Sequence, residues 1–413
     1  MNKKLSLLTL PLLAVTFAAC SSDDDPDKGE IKIELKNEYQ TSTFKVLSIN
    51  PEVESANATY SWVLTKNPVD NVTDSVLSTE KELKFITLYS GTYELTLEVT
   101  DGKEKTSQTT AIQVTEETET YNPYITNIYD YEPAPGSNSN ECYKTTGATK
   151  EDVMKIALGR IDRTSVGYAL DLGNFGGSII VGFDHTVVNV PGKRDFRVYG
   201  GEINTSTTGE KIAPGLIFVA YDQNNNGVPD EDEWYEIKGS AHDTKIINPN
   251  FSITYNRPAA DKIPIQIGAG DRFYDRESVL CENSDGESYY LTRLKSNGVG
   301  DLCPLWLDKD KFTYTGKRFD VDLRNVSSPG QYTLFTADIF DWGYVNANDP
   351  DIDIDWAIDK NGNKVHLPGI DFIKIFNCVS SGEVMMYSWS QTSMNTKFAG
   401  AADLHILEKY NLK

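Results

Sequence analysis

A twelve-residue segment rich in acids and asparagines, 222–233, has the spacing of a calcium-binding loop. Oxygen-bearing side chains stand at loop positions one, three, five, nine and twelve, and Gly227 at position six permits a sharp turn. The candidate ligands are Asp222, Asn224, Asn226, the backbone carbonyl of Val228, Asp230 and Glu233. Calcium takes about six to eight oxygen ligands, so the segment predicts a structural Ca2+ ion. The alternative is a polar hairpin loop that holds no metal.

A second acidic run places Asp351, Asp353 and Asp355 in alternation with apolar residues. In a strand, alternate side chains lie on the same face, so we expect the three carboxylates to share one face. Like charges on one face repel, and water or a cation must offset them. The pattern favours a solvated face, and a second cation site is the alternative.

No common catalytic motif is present: the sequence lacks G-x-S-x-G, H-E-x-x-H, a P-loop and G-x-G-x-x-G. Paired carboxylates can hydrolyse glycosides, but with 61 acidic residues such pairs arise by chance. His185 follows Asp184 and His405 lies close to Asp403, and we interpret both histidines as structural. We therefore predict that the protein is not an enzyme, with a glycoside-active enzyme as the least favoured alternative.

Short alternations of apolar and polar residues predict the strands of a first β domain over 30–117. The clearest is 93–99, where every second residue is apolar and Asp101-Gly102 supplies the following turn. The Tyr-Ser-Trp run at 60–62 and the Gly-Thr-Tyr run at 91–93 resemble the PKD domain, an immunoglobulin-like module of cell-surface proteins. That resemblance implies a sandwich that acts as a spacer, with Trp62 in its core.

We predict a linker at 118–140 and one large ligand-binding β-sandwich domain, jelly-roll-like, at 141–413. Strand candidates lie at 168–172, 178–183, 196–199, 216–221, 251–255, 370–376 and 403–407. Only 151–158 has helical spacing of its apolar residues. The predicted fold class is therefore all-β, with an immunoglobulin-like sandwich followed by a larger β-sandwich.

The first 29 residues predict export and lipid anchoring. Lys3 and Lys4 precede a short apolar run that ends in Phe-Ala-Ala-Cys at 17–20, which is typical of a lipoprotein signal peptide (1–19) before a lipidated Cys20. Within the acidic tether at 20–29, the Ser-Ser-Asp-Asp-Asp run at 21–25 resembles the export signal of Bacteroidota lipoproteins. That resemblance implies an outer-membrane protein that faces the extracellular side. No second long apolar segment follows, so we predict no transmembrane helix.

The amino-acid composition excludes one class of binding partner and leaves the state of the cysteines open. The formal charge of −22 argues against nucleic acid, which requires a basic surface. Four further cysteines, Cys142, Cys281, Cys303 and Cys378, can form disulfides in several pairings or remain buried thiols.

Several segments of the large domain together resemble a family of Bacteroidota surface lipoproteins that carry an N-terminal PKD-like domain. They are 182–192, 195–200, 213–215, 222–236, 253–258, 341–344, 354–359, 367–374 and 399–405. Members are often encoded beside TonB-dependent transporters, notably in loci for corrinoid uptake. The segment 380–383 departs from the longer glycine-rich stretch of relatives, which puts the ligand specificity in doubt.

The resemblance implies a cell-surface lipoprotein that captures a nutrient, above all a corrinoid (vitamin B12), for a TonB-dependent outer-membrane transporter. A corrinoid needs aromatic surface beside its ring and polar groups beside its amide arms. The candidate ligand-binding residues are Tyr129, Tyr131, Tyr289, Tyr290, Trp306, Trp342, Tyr344 and Trp389. The alternative is a calcium-stabilised glycan-binding or adhesion lipoprotein, because aromatic platforms serve sugars equally well.

Overall fold

Strands dominate the molecule, as the alternating sequence pattern predicts. The computed structural model describes residues 31–55, 57–69, 74–136, 138–162, 169–201, 213–259, 265–266, 273–295, 302–322, 324–325, 335–336, 338–380 and 395–412. The predicted signal peptide, Cys20 and Trp389 lie outside these ranges. The predicted all-β fold class is confirmed, with β-sandwich architecture. Among the described residues, no helix is both long enough and apolar enough to cross a membrane.

Nine strands, which we call the first region, lie between Ile33 and Thr115. They are β1 (Ile33–Glu34), β2 (Glu38–Ser42), β3 (Leu47–Ile49), β4 (Glu52–Val53), β5 (Thr59–Lys66), β6 (Ser75–Ser78), β7 (Leu83–Phe85), β8 (Gly91–Asp101) and β9 (Glu104–Thr115). Five of them form a sheet in the order β2-β9-β8-β5-β6, and β3 pairs with β7. The β2–β9 pair is parallel, and the other pairs in this sheet are antiparallel.

The core of the first region consists of the apolar residues that alternate along its strands. Tyr93, Leu95 and Leu97 are buried on one face of β8, as the alternation predicts. Trp62 is fully buried in the same core, and its indole N–H donates to the carbonyl of Lys81 at 3.3 Å. The predicted immunoglobulin-like sandwich is therefore present in this part of the chain.

The remaining strands, which we call the second region, lie between Asn127 and Asp403. They are β10 (Asn127–Glu132), β11 (Leu170–Asp171), β12 (Ser178–Val188), β13 (Phe196–Gly200), β14 (Gly215–Ala220), β15 (Trp234–Ile237), β16 (Ile246–Asn256), β17 (Ile265–Gln266), β18 (Phe273–Asn283), β19 (Ser288–Lys295), β20 (Lys311–Phe319), β21 (Arg324–Asn325), β22 (Phe335–Thr336), β23 (Asp351–Ile352), β24 (Ala357–Ile358), β25 (Gly369–Asn377) and β26 (Lys397–Asp403).

Three larger sheets build the second region. Their strand orders are β10-β12-β25-β14-β15-β24, β11-β26-β13-β23 and β17-β18-β16-β20, with β19 paired to β18. One hydrophobic cluster joins the inner faces of these sheets. The edge strand β10 falls inside the segment predicted as a linker, because buried Ile128 and Tyr131 join this cluster.

Within the described part of the chain, three short α-helices accompany the strands: α1 (Lys150–Ile161), α2 (His242–Lys245) and α3 (Leu404–Lys409). Helix α1 matches the predicted helix at 151–158 and begins with a capping box between Thr149 and Asp152. The strand predicted at 403–407 is wrong beyond its first residue. Asp403 instead caps α3, because its carboxylate accepts hydrogen bonds from the backbone N–H groups of His405 and Ile406.

The prediction of one continuous acidic strand at 351–355 is also wrong. Only Asp351 lies in a strand, and Asp353 begins a short 3-10 helix by accepting from the N–H of Asp355. Each carboxylate has basic partners: Asp351 forms a two-bonded pair with Arg197, and Asp353 lies 3.5 Å from Arg194. Arginine charge therefore offsets much of the expected repulsion, although burial and then neighbouring Asp195 raise the pKa of Asp353 to about 6.

The four remaining cysteines are buried thiols that form no disulfide with one another. Burial raises the pKa of both Cys142 and Cys281 to about 12, so these thiols stay protonated and unreactive.

Candidate functional site

A small apolar cluster joins the two regions. Phe44, Ile86 and Leu88 of the first region pack with Val188 and Ile406 of the second. An ion pair of 2.6 Å between Lys409 of α3 and Glu116 lies across the same junction. The junction is thus a packed interface rather than a bare tether.

Beside this cluster lies a cleft of about 680 Å³ with one wall from each region. The first region contributes residues 75–77 of β6 and the segment 84–86, and the second contributes Asn189, 191–193, Asp355, Lys364 and 366–368. Such a volume is within the range of about 300–1,000 Å³ that is typical of small-ligand sites. Two segments that carry the family resemblance, 182–192 and 367–374, therefore contribute to its lining.

Basic side chains dominate the ionisable lining of this junction cleft. Lys84 and Lys364 each have an acidic partner, Glu82 at 2.9 Å and Asp355 at 3.4 Å respectively. Lys193 makes no ion pair with any described residue, and its Nζ lies 5.9 Å from the ring centre of Tyr89. One ammonium group in the cleft is consequently left without a carboxylate partner.

Two uncharged polar groups in the cleft have unused hydrogen-bonding capacity. The side-chain N–H groups of Asn189 donate to Asp355 at 3.2 Å and to the carbonyl of Leu367 at 2.9 Å, whereas its buried Oδ1 has no partner. Burial and then the charge of Lys364 lower the pKa of His366, so its imidazole is neutral near pH 7. A neutral imidazole offers one donor and one acceptor.

A network of carboxylates and imidazoles, buried except at Asp184, lies on the second region's side of the junction. His185 lies between Asp184, at 2.8 Å from its Nδ1, and Asp403, at 2.9 Å from its Nε2. His405 bonds to Asp195 at 2.9 Å. Burial lowers the pKa of His185, but the hydrogen bonds and negative charges of Asp403 and Asp184 outweigh it and raise that pKa.

Asp195 connects this network to the cleft. Its two carboxylate oxygens accept from the backbone N–H of Val190 at 2.9 Å and of Ile354 at 2.8 Å. Val190 follows Asn189, and Ile354 precedes Asp355, and both Asn189 and Asp355 line the cleft. The buried carboxylate therefore positions two of the segments that line the cleft. Sequence analysis selected both histidines and Asp184 beside His185, but it missed the distant partners, Asp403 of His185 and Asp195 of His405, which lie 218 and 210 residues away along the chain.

The candidate calcium loop folds back on itself. The side-chain amides of Asn224 and Asn226 both donate to Asp230, at 2.7 and 2.8 Å, so loop positions three, five and nine converge. Gly227 has a φ of +77°, as the sharp turn requires. The carboxylate of Glu233 accepts from the backbone N–H groups of Gln223 and Asp230, which closes the base of the loop.

The folded loop brings together carboxylate and amide oxygens, which are the ligands that calcium prefers. Asp222 also faces inward, since it accepts from the N–H groups of Asn226 and Gly227. Within the described ranges, no three His, Cys, Asp or Glu side chains form a ready metal cluster. Binding would therefore require the two asparagine oxygens to turn toward the ion, and the calcium ion stays a prediction.

The predicted aromatic ligand-binding residues lie in separate parts of the structure. Tyr131 and Trp306 stack with centres 5.8 Å apart in the core, and Tyr344 is fully buried against Phe340. Tyr131 and Tyr344 thus present no surface to a ligand in this conformation.

The other described candidates are partly exposed but separate. Tyr129 packs against Phe372, and Tyr289 and Tyr290 lie on β19. Trp342 contacts Trp356 with centres 4.4 Å apart, and the guanidinium of Arg194 covers the Trp356 ring. Sequence analysis did not select Trp356, although its position beside Asp355 was a usable signal. None of these candidates lines the junction cleft.

Comparison with known proteins does not assign the chain to a family. No protein-family model matches the sequence, and no curated protein matches it. Among solved structures, the PKD domain of human KIAA0319 is 14% identical over 25% of this chain and 97% of that domain, with a TM-score of 0.20. A Bacteroides ovatus mixed-linkage glucan utilization locus protein, SGBP-B, in complex with a mixed-linkage heptasaccharide is 14% identical, with a TM-score of 0.15.

That second alignment covers 64% of this chain and 42% of the glucan-locus protein. A quinonprotein alcohol dehydrogenase-like protein of Bacteroides thetaiotaomicron is 16% identical over 38% of this chain and 34% of its own length, with a TM-score of 0.16. Similarities this low carry no argument about function, so the functional proposal must come from the molecule itself.

Proposed function

We propose that the protein is a cell-surface lipoprotein, anchored to the outer membrane through Cys20, which captures a nutrient ligand for a TonB-dependent transporter. The observation that supports capture is the junction cleft, since ligand sites are concentrated where two folded units meet. The signal peptide and lipidation pattern of the sequence support the location.

The chemistry of the lining supports binding rather than bond cleavage. Asp355 is the carboxylate of the described lining, and it is engaged by Asn189 and Lys364. The usual glycoside hydrolase uses two carboxyl groups that flank the bond to be broken. A capture role needs no such pair, because affinity comes from a shaped polar pocket.

The corrinoid is the ligand that the family resemblance proposes, and the polar cleft suits its amide arms. The glycan alternative gains support from one observation: the aromatic candidates among the described residues do not gather beside the cleft into a broad surface for a corrin ring. Sugar hydroxyls, by contrast, pair with groups such as Asn189 and His366. We also propose calcium as a structural ion of the 222–233 loop.

The test is calorimetric titration of the purified lipidated protein in detergent, first with cyanocobalamin and then with oligosaccharides. Saturable one-to-one heat with cyanocobalamin supports corrinoid capture, and heat only with oligosaccharides supports the glycan alternative. A Ser75→Trp variant should abolish either signal by filling the cleft, whereas Ser288→Trp, at an exposed position on β19, should not. Absence of heat with both ligand classes would contradict the capture proposal.

A further inference from the structure

The charge of the junction cleft is opposite to the charge of the protein. The chain carries a formal charge of −22, yet among the described residues the cleft lining holds Lys84, Lys193 and Lys364 against one carboxylate, Asp355. In an acidic protein, chance placement of charges favours acidic clefts. Because Glu82 and Asp355 occupy the other two lysines, Lys193 is the positive group that remains for a ligand.

The unpaired polar atoms describe the rest of the ligand. The Asn189 amide donates to Asp355 and to the carbonyl of Leu367, and its Oδ1 is buried without a partner, so a turn of this side chain toward the cleft would let Oδ1 accept from a ligand O–H. His366 makes no hydrogen bond with the described residues, and its neutral ring can donate to one hydroxyl and accept from another. The ligand should therefore bear several hydroxyls as well as a negative charge.

The apolar part of the lining sets the shape of the ligand body. Phe85 and Ile86 on one wall and Leu367 and Pro368 on the other present small apolar patches. Such patches suit the C–H faces of a sugar ring, while the polar groups between them suit its hydroxyls. A volume of about 680 Å³ accommodates a short oligosaccharide.

We infer that the junction cleft binds an acidic saccharide, a sugar that carries a carboxylate or a sulfate group. Lys193 faces the anionic group, and Asn189 and His366 face the hydroxyls. This inference rests on the proposed capture function and specifies the ligand class at the same site.

The test uses an array of neutral, carboxylated and sulfated oligosaccharides, followed by calorimetry on matched members such as digalacturonate and its neutral counterpart galactobiose. We expect acidic members to bind at least about tenfold more tightly than neutral ones, and their affinity to fall as salt is raised. The carboxylated and sulfated arms distinguish the two sources of charge.

Two lysine variants complete the test. Lys193→Gln should weaken binding of acidic saccharides about tenfold, the loss expected for one charge-assisted hydrogen bond, and leave neutral sugars unaffected. Lys311→Gln, an exposed lysine of β20 outside the cleft, is the matched control and should change neither. Circular dichroism and melting temperature check that both variants fold.

The outcomes separate this inference from the function on which it rests. Equal binding of neutral and acidic members, or unchanged affinity in Lys193→Gln, overturns the acidic-saccharide inference. If cyanocobalamin or a neutral glycan binds while acidic members do not, capture stands and the inference fails. If no ligand of any class binds, both fail.

Discussion

The two β regions bury different kinds of side chain. The first region packs aliphatic and aromatic residues, and its described buried polar residues carry only hydroxyl groups: Thr43, Ser78, Thr87 and Thr110. The second region also buries ionisable groups, among them Asp171, Asp195, His185, Asp403 and His405. Apolar packing is non-directional and tolerates small rearrangements, whereas buried hydrogen bonds permit one geometry.

This difference bears on where the ligand site lies. The junction cleft takes one wall from each region, but the polar groups assigned to ligand contact, Asn189, Lys193 and His366, all come from the second. The buried carboxylate of Asp195 holds the segment that carries two of them. The first region thus contributes an apolar wall of the cleft, and the second region holds the polar side chains that contact the ligand in fixed positions.

The largest effect that tests this comparison should come from the apolar core. Trp62→Ala removes a fully buried side chain and should lower the free energy of unfolding of the first region by about 3–5 kcal/mol. Hydrogen exchange of the β8 amides measures that local stability. Tyr60→Ala, at a half-buried position of the same strand, should cost clearly less. Equal losses in the two variants would mean that Trp62 has no special place in the core.

A smaller loss is expected when the buried network of the second region is broken. Asp403→Ala removes the cap of α3 and leaves His185 without its buried partner, which should cost about 2–4 kcal/mol. Chemical denaturation followed by near-ultraviolet circular dichroism measures the loss. Asp308→Ala, at an exposed site, should change stability by less than about 0.5 kcal/mol. If Asp403→Ala left the free energy of unfolding almost unchanged, the proposed difference between the two regions, in which the second depends on buried hydrogen bonds, would be wrong.

Calcium should stabilise the second region alone. A site saturated at about 100 times its dissociation constant contributes about 2.7 kcal/mol, so adding calcium should raise the melting temperature and chelator should reverse the rise. Glu233→Gln should abolish the response, whereas Asp232→Asn, which changes an exposed carboxylate of the same loop that is not a candidate ligand, should retain it. A melting temperature indifferent to calcium would leave the loop as a hydrogen-bonded hairpin.

The smallest effect should be a pH dependence at the junction. The pKa of His185 is raised in the folded protein, so its contribution to stability is fully present below the unfolded value of about 6.5 and is lost as pH rises through the folded value. Stability measured upward from pH 6 should therefore decline more in the wild type than in His185→Gln. Parallel profiles for the two proteins would show that the imidazole stays neutral between its carboxylates.

Local patterns in the sequence predicted much of the fold. Alternation located β8, which buries one face, and short apolar runs located β12, β14 and β25, which are buried over most of both faces. It failed at 403–407, where a short apolar run fits a strand or a helix equally well. The aspartate that precedes this run was a usable capping signal.

The candidate site was less predictable because it depends on contacts between distant parts of the chain. Nothing near Asn189 in the sequence indicates that Lys193 would face Tyr89 of the first region or that His366 would share its cleft. Aromatic residues were chosen by type, and type does not distinguish buried Tyr344 from half-buried Trp342. The spacing within 222–233 did predict a loop whose polar side chains converge, since every relevant residue is local.

The long sequence separation of the His185–Asp403 contact has a consequence for folding. The first region joins β8 and β9 through a tight turn, so its pairing starts from neighbouring residues. The second region must close a span of 218 residues before this contact forms, and such high contact order slows folding. If the first region folds before this contact forms, Phe44, Ile86 and Leu88 are left without Val188 and Ile406, their partners in the folded protein, and we expect such a species to aggregate readily. We therefore expect the cleft to be the last part of the molecule to form.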